Sequence, residues 1–387
     1  MIPYSRQDIT AEDISAVTRV LKSDFLTQGP KVPAFEEKLK EFFSVKHAIA
    51  CSSGTAALHL TYASLGVNPQ TTGIVPAITF AATANAFRYL GAEVEFCDVD
   101  HETGLICPIS LEAIFQNMQP KQGRCPVLIS PVSFAGATAP LDSLAKISSR
   151  LGYQIVEDAS HSPGSFSAEG KVDIASASCV YTKAACLSFH PVKHICCGEG
   201  GAVLTNDDNV FNLSKKLRSH GIERPFDDSH MTPWFYQQTD LGWNYRMTDL
   251  QAALGMSQLE RLNVQLNARR RLASTYSQAF SEPPFRDFLD CPPLPPGHSW
   301  HLYIIRFKQD GVRDRAHKFL KDNGIMTQVH YIPVYRHPYY RNRYGDMRLP
   351  GAEKFYNSCL SIPMYPTLST DEQDEVIEKI GIFCESL

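Results

Sequence analysis

The segment Ser188-Phe189-His190-Pro191-Val192-Lys193-His194-Ile195 puts a lysine in a short loop ahead of the glycine-rich turn Gly198-Glu199-Gly200-Gly201. An ordinary lysine amine has a pKa of about 10.4 and is a poor nucleophile at neutral pH. Desolvation or a nearby cation lowers that value and frees the amine to form an imine with a carbonyl compound. On an open surface the same lysine is only a solvated cation. Lys183 follows the strand-like Cys179-Val180-Tyr181 but lacks the frame around Lys193.

Two further segments carry complementary chemistry. Ile155-Val156-Glu157-Asp158-Ala159-Ser160-His161 reads as a buried strand ending in two acids, with a histidine three residues after the second. An acid at the carboxyl end of a parallel strand faces the ligand crevice of an α/β sheet and can pair with a cationic ring nitrogen. It can equally cap the next segment. Ser52-Ser53-Gly54-Thr55-Ala56-Ala57-Leu58 leads into a helix with Leu58, Tyr62 and Leu65 on one face. Backbone N–H groups and a hydroxyl at a helix N-terminus attract phosphate, although a plain N-cap has the same composition. His190 and His194 are four apart, but Pro191 opposes a regular helix across them. No Glu stands beside the first, and no third ligand is apparent, so no metal is expected.

The elements that must position these residues alternate. Val94 to Phe96, Val127 to Ile129, Ile155-Val156 and Ala202 to Leu204 read as strands, with helical stretches such as Leu141 to Leu151 between them. That order predicts a largely parallel α/β sheet. From Met247 to Ala273 the spacing of Leu250, Leu254, Leu259 and Leu262 predicts one long helix leaving the sheet. A loop-like, Pro-rich stretch, Pro283 to Pro296, follows. Then come a strand at Tyr303 to Phe307, a helix at Arg313 to Asn323 and a closing helix at Thr370 to Ile382. The expected division is an N-terminal segment near the active site (1–14), a large domain (15–250), and a linking helix with a small C-terminal domain (251–387).

Composition narrows the class. The chain has 387 residues, 43% hydrophobic and 20% charged, enough to bury a core without metal or disulfide staples. A net charge of -4 argues against a broad nucleic-acid surface. No window approaches the roughly 18 apolar residues of a membrane span, and Met1 to Arg6 carries no signal-peptide pattern. Eleven cysteines, with no CxxC pair, read as reduced thiols of a cytoplasmic protein, the adjacent Cys196 and Cys197 included.

In order and spacing these segments resemble the sugar-nucleotide aminotransferases of pyridoxal-phosphate (PLP) fold type I, the DegT/StrS group. The likeness runs over nearly the whole chain. It is carried by SGTAALHL, EDASH, SFHPVKH with GEGGAVLTND, RSHGI, and above all GWNYRMTDLQAALGMSQLERL at Gly242 to Leu262. MIPYSRQDIT at the start, SDFLTQGP at Ser23 to Pro30 and TQVHYIPVYRHPYY at Thr327 to Tyr340 resemble the 4-aminotransferases of pseudaminic acid biosynthesis.

The resemblance implies a large domain with a mostly parallel mixed sheet sandwiched by helices, plus a smaller C-terminal α/β domain. It implies Lys193 as Schiff-base lysine and proton shuttle, and Asp158 as partner of the pyridine nitrogen. Phe80 would stack on the ring, and His161 would neighbour its phenolic oxygen. Gly54, Thr55 and Ser188 would bind the phosphate, with Asn244 reaching it from the partner of a homodimer with shared active sites. Substrate contacts would come from Tyr4, Asp24, Phe25, Leu26, Thr27, Ala56, Ser188, Asn244, Gln328, Val329, His330 and Tyr331. The implied substrates are a UDP-linked 4-keto-6-deoxy sugar and L-glutamate, with no nucleic-acid or membrane partner. The chain departs from the pattern at Cys196-Cys197, where relatives commonly carry Thr-Thr, and at Ser162-Pro163. Some relatives replace the lysine with His and are dehydratases; Lys193 here favours transamination. Rival readings are an aminotransferase for another keto-sugar nucleotide (C3 or C4; UDP, dTDP or GDP), a non-catalytic sugar-nucleotide sensor, and a metal hydrolase built on His190 and His194.

Overall fold

Short apolar runs bounded by turn residues become a seven-stranded sheet in the computed structural model, which describes residues 1–117, 127–167, 173–223, 232, 234–293 and 295–387. In chain order the strands are β1 (His47–Cys51), β2 (Thr72–Pro76), β3 (Glu93–Cys97), β4 (Val127–Ile129) and β5 (Gln154–Asp158). A small hairpin follows, β6 (Phe166–Ser167) with β7 (Ile174–Ala175), and then β8 (Ala184–Ser188) and β9 (Gly201–Thr205). The sheet order is β1-β9-β8-β5-β4-β2-β3. Strands β3, β2, β4, β5 and β8 pair in parallel.

Strand β9 runs antiparallel to both its neighbours, β8 and β1. A parallel return needs a crossover connection, usually a helix. The loop from Phe189 to Gly200 holds no helix, so the chain folds straight back and leaves Lys193 in the turn. Cys179 to Tyr181, strand-like by composition, lie in a bend before β8.

The expected long helix is two. Asp249–Glu260 and Leu262–Phe280 meet at Arg261, whose backbone leaves helical geometry. Its guanidinium is engaged by Asp8 and Asp13 of the N-terminal segment. The Pro-rich stretch is also more ordered than its composition predicts. It holds a helical turn at Phe285–Phe288, and Leu289 then pairs with Phe307.

A second core forms around a three-stranded sheet, order β12-β13-β14, after the exposed pair β10 (Ile222–Glu223) and β11 (Gln237–Gln238). Its strands are β12 (Leu289–Asp290), β13 (Tyr303–Phe307) and β14 (Cys359–Ile362). Helices Val312–Asp322 and Thr370–Glu385 cover it, the latter started by a Ser369/Glu372 capping box. Ile2 is buried in this second core and bridges Ile325, which draws the N-terminal residues across to the C-terminal part. Among the described residues no helix is long and apolar enough to cross a membrane.

Candidate active site

The carboxyl ends of β5 and β8 open into a cavity of about 690 Å³. Strand β5 is buried from Ile155 onward and ends in Asp158, which lines the cavity. The carboxylate is braced on both oxygens. Thr83 Oγ1 donates to Oδ2 at 2.7 Å, while Ser160 donates to Oδ1 through its hydroxyl at 2.6 Å and its N–H at 3.1 Å. Charge-assisted hydrogen bonds of this kind hold the carboxylate in a fixed orientation. Glu157, on the opposite face of β5, is fully buried and holds Ser133, Ser176 and the Ala177 N–H instead.

Lys193 sits on the cavity wall, in a turn closed by its own N–H bonding the His190 carbonyl at 2.8 Å and the Phe189 N–H bonding the Gly200 carbonyl at 2.8 Å. Phe189 and Ile195 anchor the turn in the core. Burial pushes the Lys193 amine down to about 7, outweighing the opposing attraction of Asp158. An amine with that value is substantially neutral at physiological pH and therefore nucleophilic. Lys183 lies at the opposite end of β8, its Nζ 3.3 Å from Asp207.

Above the turn, the helix Gly54–Ser64 points its N-terminus at the cavity. Ser53 caps it by accepting the Ala56 N–H at 3.1 Å. The Gly54 and Thr55 N–H groups and the Thr55 and Ser188 hydroxyls have no partner among the described residues. Backbone and strand approach closely here. A Cβ on Gly54 would come within 2.8 Å of Ser188 Cβ, and one on Gly201 within 2.3 Å of the Ser53 carbonyl oxygen. Only glycine permits this cradle.

Phe80 lies at the cavity edge, 62% exposed, its ring 6.0 Å from that of Tyr331. His161 is buried on the wall. Its pKa is held well below the usual range by burial, and next by the cations and imidazoles around it. Tyr4, Gln328, Val329, His330 and Tyr331 line the remaining side.

The cavity thus gathers Gly54, Thr55, Phe80, Asp158, His161, Ser188, Lys193, Tyr4 and the segment Gln328 to Tyr331. It does not gather the others. Ala56 is buried under the Ser53 cap. Asp24, Phe25, Leu26 and Thr27 are exposed, with the Leu26 carbonyl accepting the Asp249 N–H and Thr27 bridging Thr248. Asn244 is exposed and bridges Ser219. His190 reaches the cavity rim, whereas His194 is buried with Nε2 2.9 Å from the Ser299 carbonyl. Cys196 and Cys197 are buried free thiols.

Three residues in or behind the cavity wall escape sequence reasoning. Ser160 carries a weak signal, two residues after Asp158, at a spacing suited to a local Asx turn. Thr83 pairs with Thr79 one helical turn away, and nothing in its type marks it as a partner of Asp158. His301, in an apolar stretch beside β13, reads as core; it lines the cavity with its ring 4.3 Å from His161.

A family model of the DegT/DnrJ/EryC1/StrS aminotransferases matches residues 7–381. The chain belongs to the DegT/DnrJ/EryC1/StrS aminotransferase family. It is 34% identical to the spore coat polysaccharide biosynthesis protein SpsC of Bacillus subtilis (strain 168), over 98% of this chain and 96% of that protein. Its fold superposes on Helicobacter pylori PseC, an aminotransferase involved in the biosynthesis of pseudoaminic acid, with a TM-score of 0.89, 30% identity and all of both chains covered. Spr1654 of Streptococcus pneumoniae, solved in its PLP form, matches with a TM-score of 0.88 and 27% identity over 100% of this chain and 99% of that one.

The cofactor of this aminotransferase is pyridoxal phosphate. The cavity fits it. A neutral amine, a braced carboxylate and a helix N-terminus with unpaired donors match its aldehyde, its ring nitrogen and its phosphate.

Proposed function

We propose that this aminotransferase transfers the amino group of L-glutamate to C4 of a UDP-linked 4-keto-6-deoxy sugar. The acceptor we name is UDP-2-acetamido-2,6-dideoxy-β-L-arabino-hexos-4-ulose. The observation that carries the reading is the facing of Lys193, with its lowered pKa, and Asp158 across one cavity. The end-to-end likeness to PseC supports the choice of sugar.

When bound, pyridoxal phosphate supplies an electron sink for the carbanion left as a proton departs. Lys193 would hold its aldehyde, Asp158 its protonated ring nitrogen, and Phe80 one face of the ring. Gly54, Thr55 and Ser188 would hold the phosphate with hydrogen bonds rather than with charge. His161 would flank the phenolic oxygen. Lys193 Nζ then takes the proton from Cα of glutamate and, in the second half-reaction, delivers one to C4 of the sugar. Because one amine serves both transfers from one wall, protonation at C4 occurs on a single face. The protein's share is orientation and proton traffic.

The reading extends to a cytoplasmic homodimer. Asn244, exposed on this chain, would reach the partner's phosphate, and Asp24 to Thr27 would meet the substrate. The relation to SpsC favours a second reading, an acceptor from another polysaccharide route. One experiment separates them. The purified enzyme is given glutamate and a panel of UDP-, dTDP- and GDP-linked 3- and 4-keto sugars, and each product is identified by NMR. Amination at C4 of the UDP sugar at the highest kcat/KM supports the first reading; preference for another acceptor replaces it.

A further inference from the structure

Behind the active-site wall lies a second cavity, of about 400 Å³, and the two share no lining residue. Phe134 is the partition. Its ring lines the second cavity and packs 5.7 Å from that of His161 on the first. The second cavity lies where the Pro-rich stretch returns to the large sheet. The Ser299 N–H bonds the Gly136 carbonyl at 2.8 Å, the Leu302 N–H the Ala135 carbonyl at 3.0 Å, and the Phe166 N–H the Gly297 carbonyl at 3.0 Å. Gly136 has a φ of 108°, and a Cβ there would stand 2.5 Å from the Trp300 nitrogen. Backbone packing, which only glycine permits at that point, therefore sets this wall.

The lining is rich in rings. Phe134, Phe166 and Phe355 line it with Leu302 and Ile304, and the exposed Pro293, Pro295 and Pro296 border it. A prolyl nitrogen carries no proton, so that border offers no backbone donor. The Thr138 hydroxyl is paired with Ser165 Oγ at 3.0 Å, and the Thr103 hydroxyl donates to Asp100 Oδ1 at 2.9 Å. No Lys or Arg is among the described lining residues, and Glu102 stands exposed at the rim. A carboxylate or phosphate would enter without a compensating charge.

His298 supplies one aimed donor. Its Nδ1 accepts the Trp300 N–H at 2.9 Å. Burial drives its pKa down to about 3, so the ring is neutral. A neutral imidazole has one N–H and one lone pair. A backbone N–H can only donate, so the lone pair is at Nδ1 and the proton at Nε2. His298 is 7% exposed and lines the cavity, yet its Nε2–H has no protein acceptor among the described residues.

We propose that this cavity is a binding site for a small neutral aromatic molecule carrying a hydrogen-bond acceptor, which His298 engages through Nε2–H. Apolar and aromatic walls with few, placed polar groups are the usual make-up of a small-molecule site. A buried donor without a partner costs free energy that an acceptor in the ligand recovers. The site stands whichever sugar the enzyme aminates.

Quinoline, a neutral bicyclic ring with one acceptor nitrogen, is the probe. It is titrated calorimetrically into the holoenzyme in mildly alkaline buffer. Saturable binding with a Kd of about 1 mM or tighter is expected. His298→Asn should weaken it about three- to tenfold. The Asn Oδ1 still accepts the Trp300 N–H, but no donor stands where Nε2 was, and retained transamination shows that the variant is folded. On wild-type holoenzyme labelled with 15N-histidine, NMR reads the tautomer directly, and quinoline should move the His298 Nε2 signal, assigned by its loss in the variant. Absence of saturable binding up to about 10 mM quinoline overturns the proposal. So does equal affinity in wild type and His298→Asn, a His298 proton on Nδ1, or a shift of the His161 signal without one at His298.

Discussion

Lys183 and Lys193 lie beyond opposite ends of one strand, β8, and only Lys193 faces the cavity. Borohydride treatment of the yellow holoenzyme should abolish its imine absorbance and leave the reduced adduct on Lys193 in peptide mapping. Lys193→Ala should lose nearly all transamination, since no other wall residue both binds an aldehyde and carries the proton. An adduct on Lys183 would refute this assignment.

The lowered pKa of Lys193 sets a pH dependence. On folding, its proton is lost near pH 7, whereas in the unfolded chain it stays to about 10.4. Between those values the unfolded chain binds more protons, so this group adds stability to the apoenzyme as pH rises. Urea melts of apo wild type and Lys193→Met at about pH 7 and about pH 10 should show the wild type gaining on the variant at the higher value. Capture of added cofactor should accelerate through about pH 7 and then level off. A rate still climbing toward pH 10 would mean an unperturbed amine.

Asp158→Asn keeps the size and removes the charge. Breaking a buried ion pair commonly costs about 3–5 kcal/mol, so turnover should fall by several orders of magnitude while cofactor binding weakens less. Thr83→Val is the milder companion. It removes one donor from Oδ2, and a loss of about 1–3 kcal/mol in turnover is expected. Near-native turnover of Asp158→Asn, measured as kcat, would assign the ring nitrogen to another group.

Asn244 gives a complementation test. Lys193→Ala and Asn244→Asp should each be inactive alone, the second because its new charge repels phosphate. If Asn244 serves the partner's site, a mixed dimer carries both defects in one site and leaves the other intact, recovering up to about half the activity of a wild-type dimer. No recovery despite demonstrated subunit exchange would confine Asn244 to its own chain.

Residues whose chemistry shows in their type were legible from sequence. Asp158 ends an apolar run, Lys193 precedes a glycine turn, and Gly54-Thr55 open a helix; the fold brings all of them to one cavity. Residues that act through geometry were not. Thr83 matters only because the start of the helix Ala82–Tyr89 packs beside the end of β5. Arg261, where the two helices meet, pairs with Asp8 and Asp13, far away in sequence, and no local period records the break. The antiparallel direction of β9 follows from a missing crossover helix, which strand composition does not encode. Asn244 and Asp24 to Thr27 stand outside the cavity that gathers the others.

The placement of β9 between β1 and β8 also orders events during synthesis. β1 emerges first, yet among the described residues its one neighbour in the sheet is β9. Until the ribosome has released Thr205, β1 has an open edge and the helix Gly54–Ser64 lacks much of its floor. The cradle at Gly54 is therefore among the last parts of the large sheet to assemble, and nascent chains stopped before β9 should expose an unpaired strand, the kind of surface that chaperones shield.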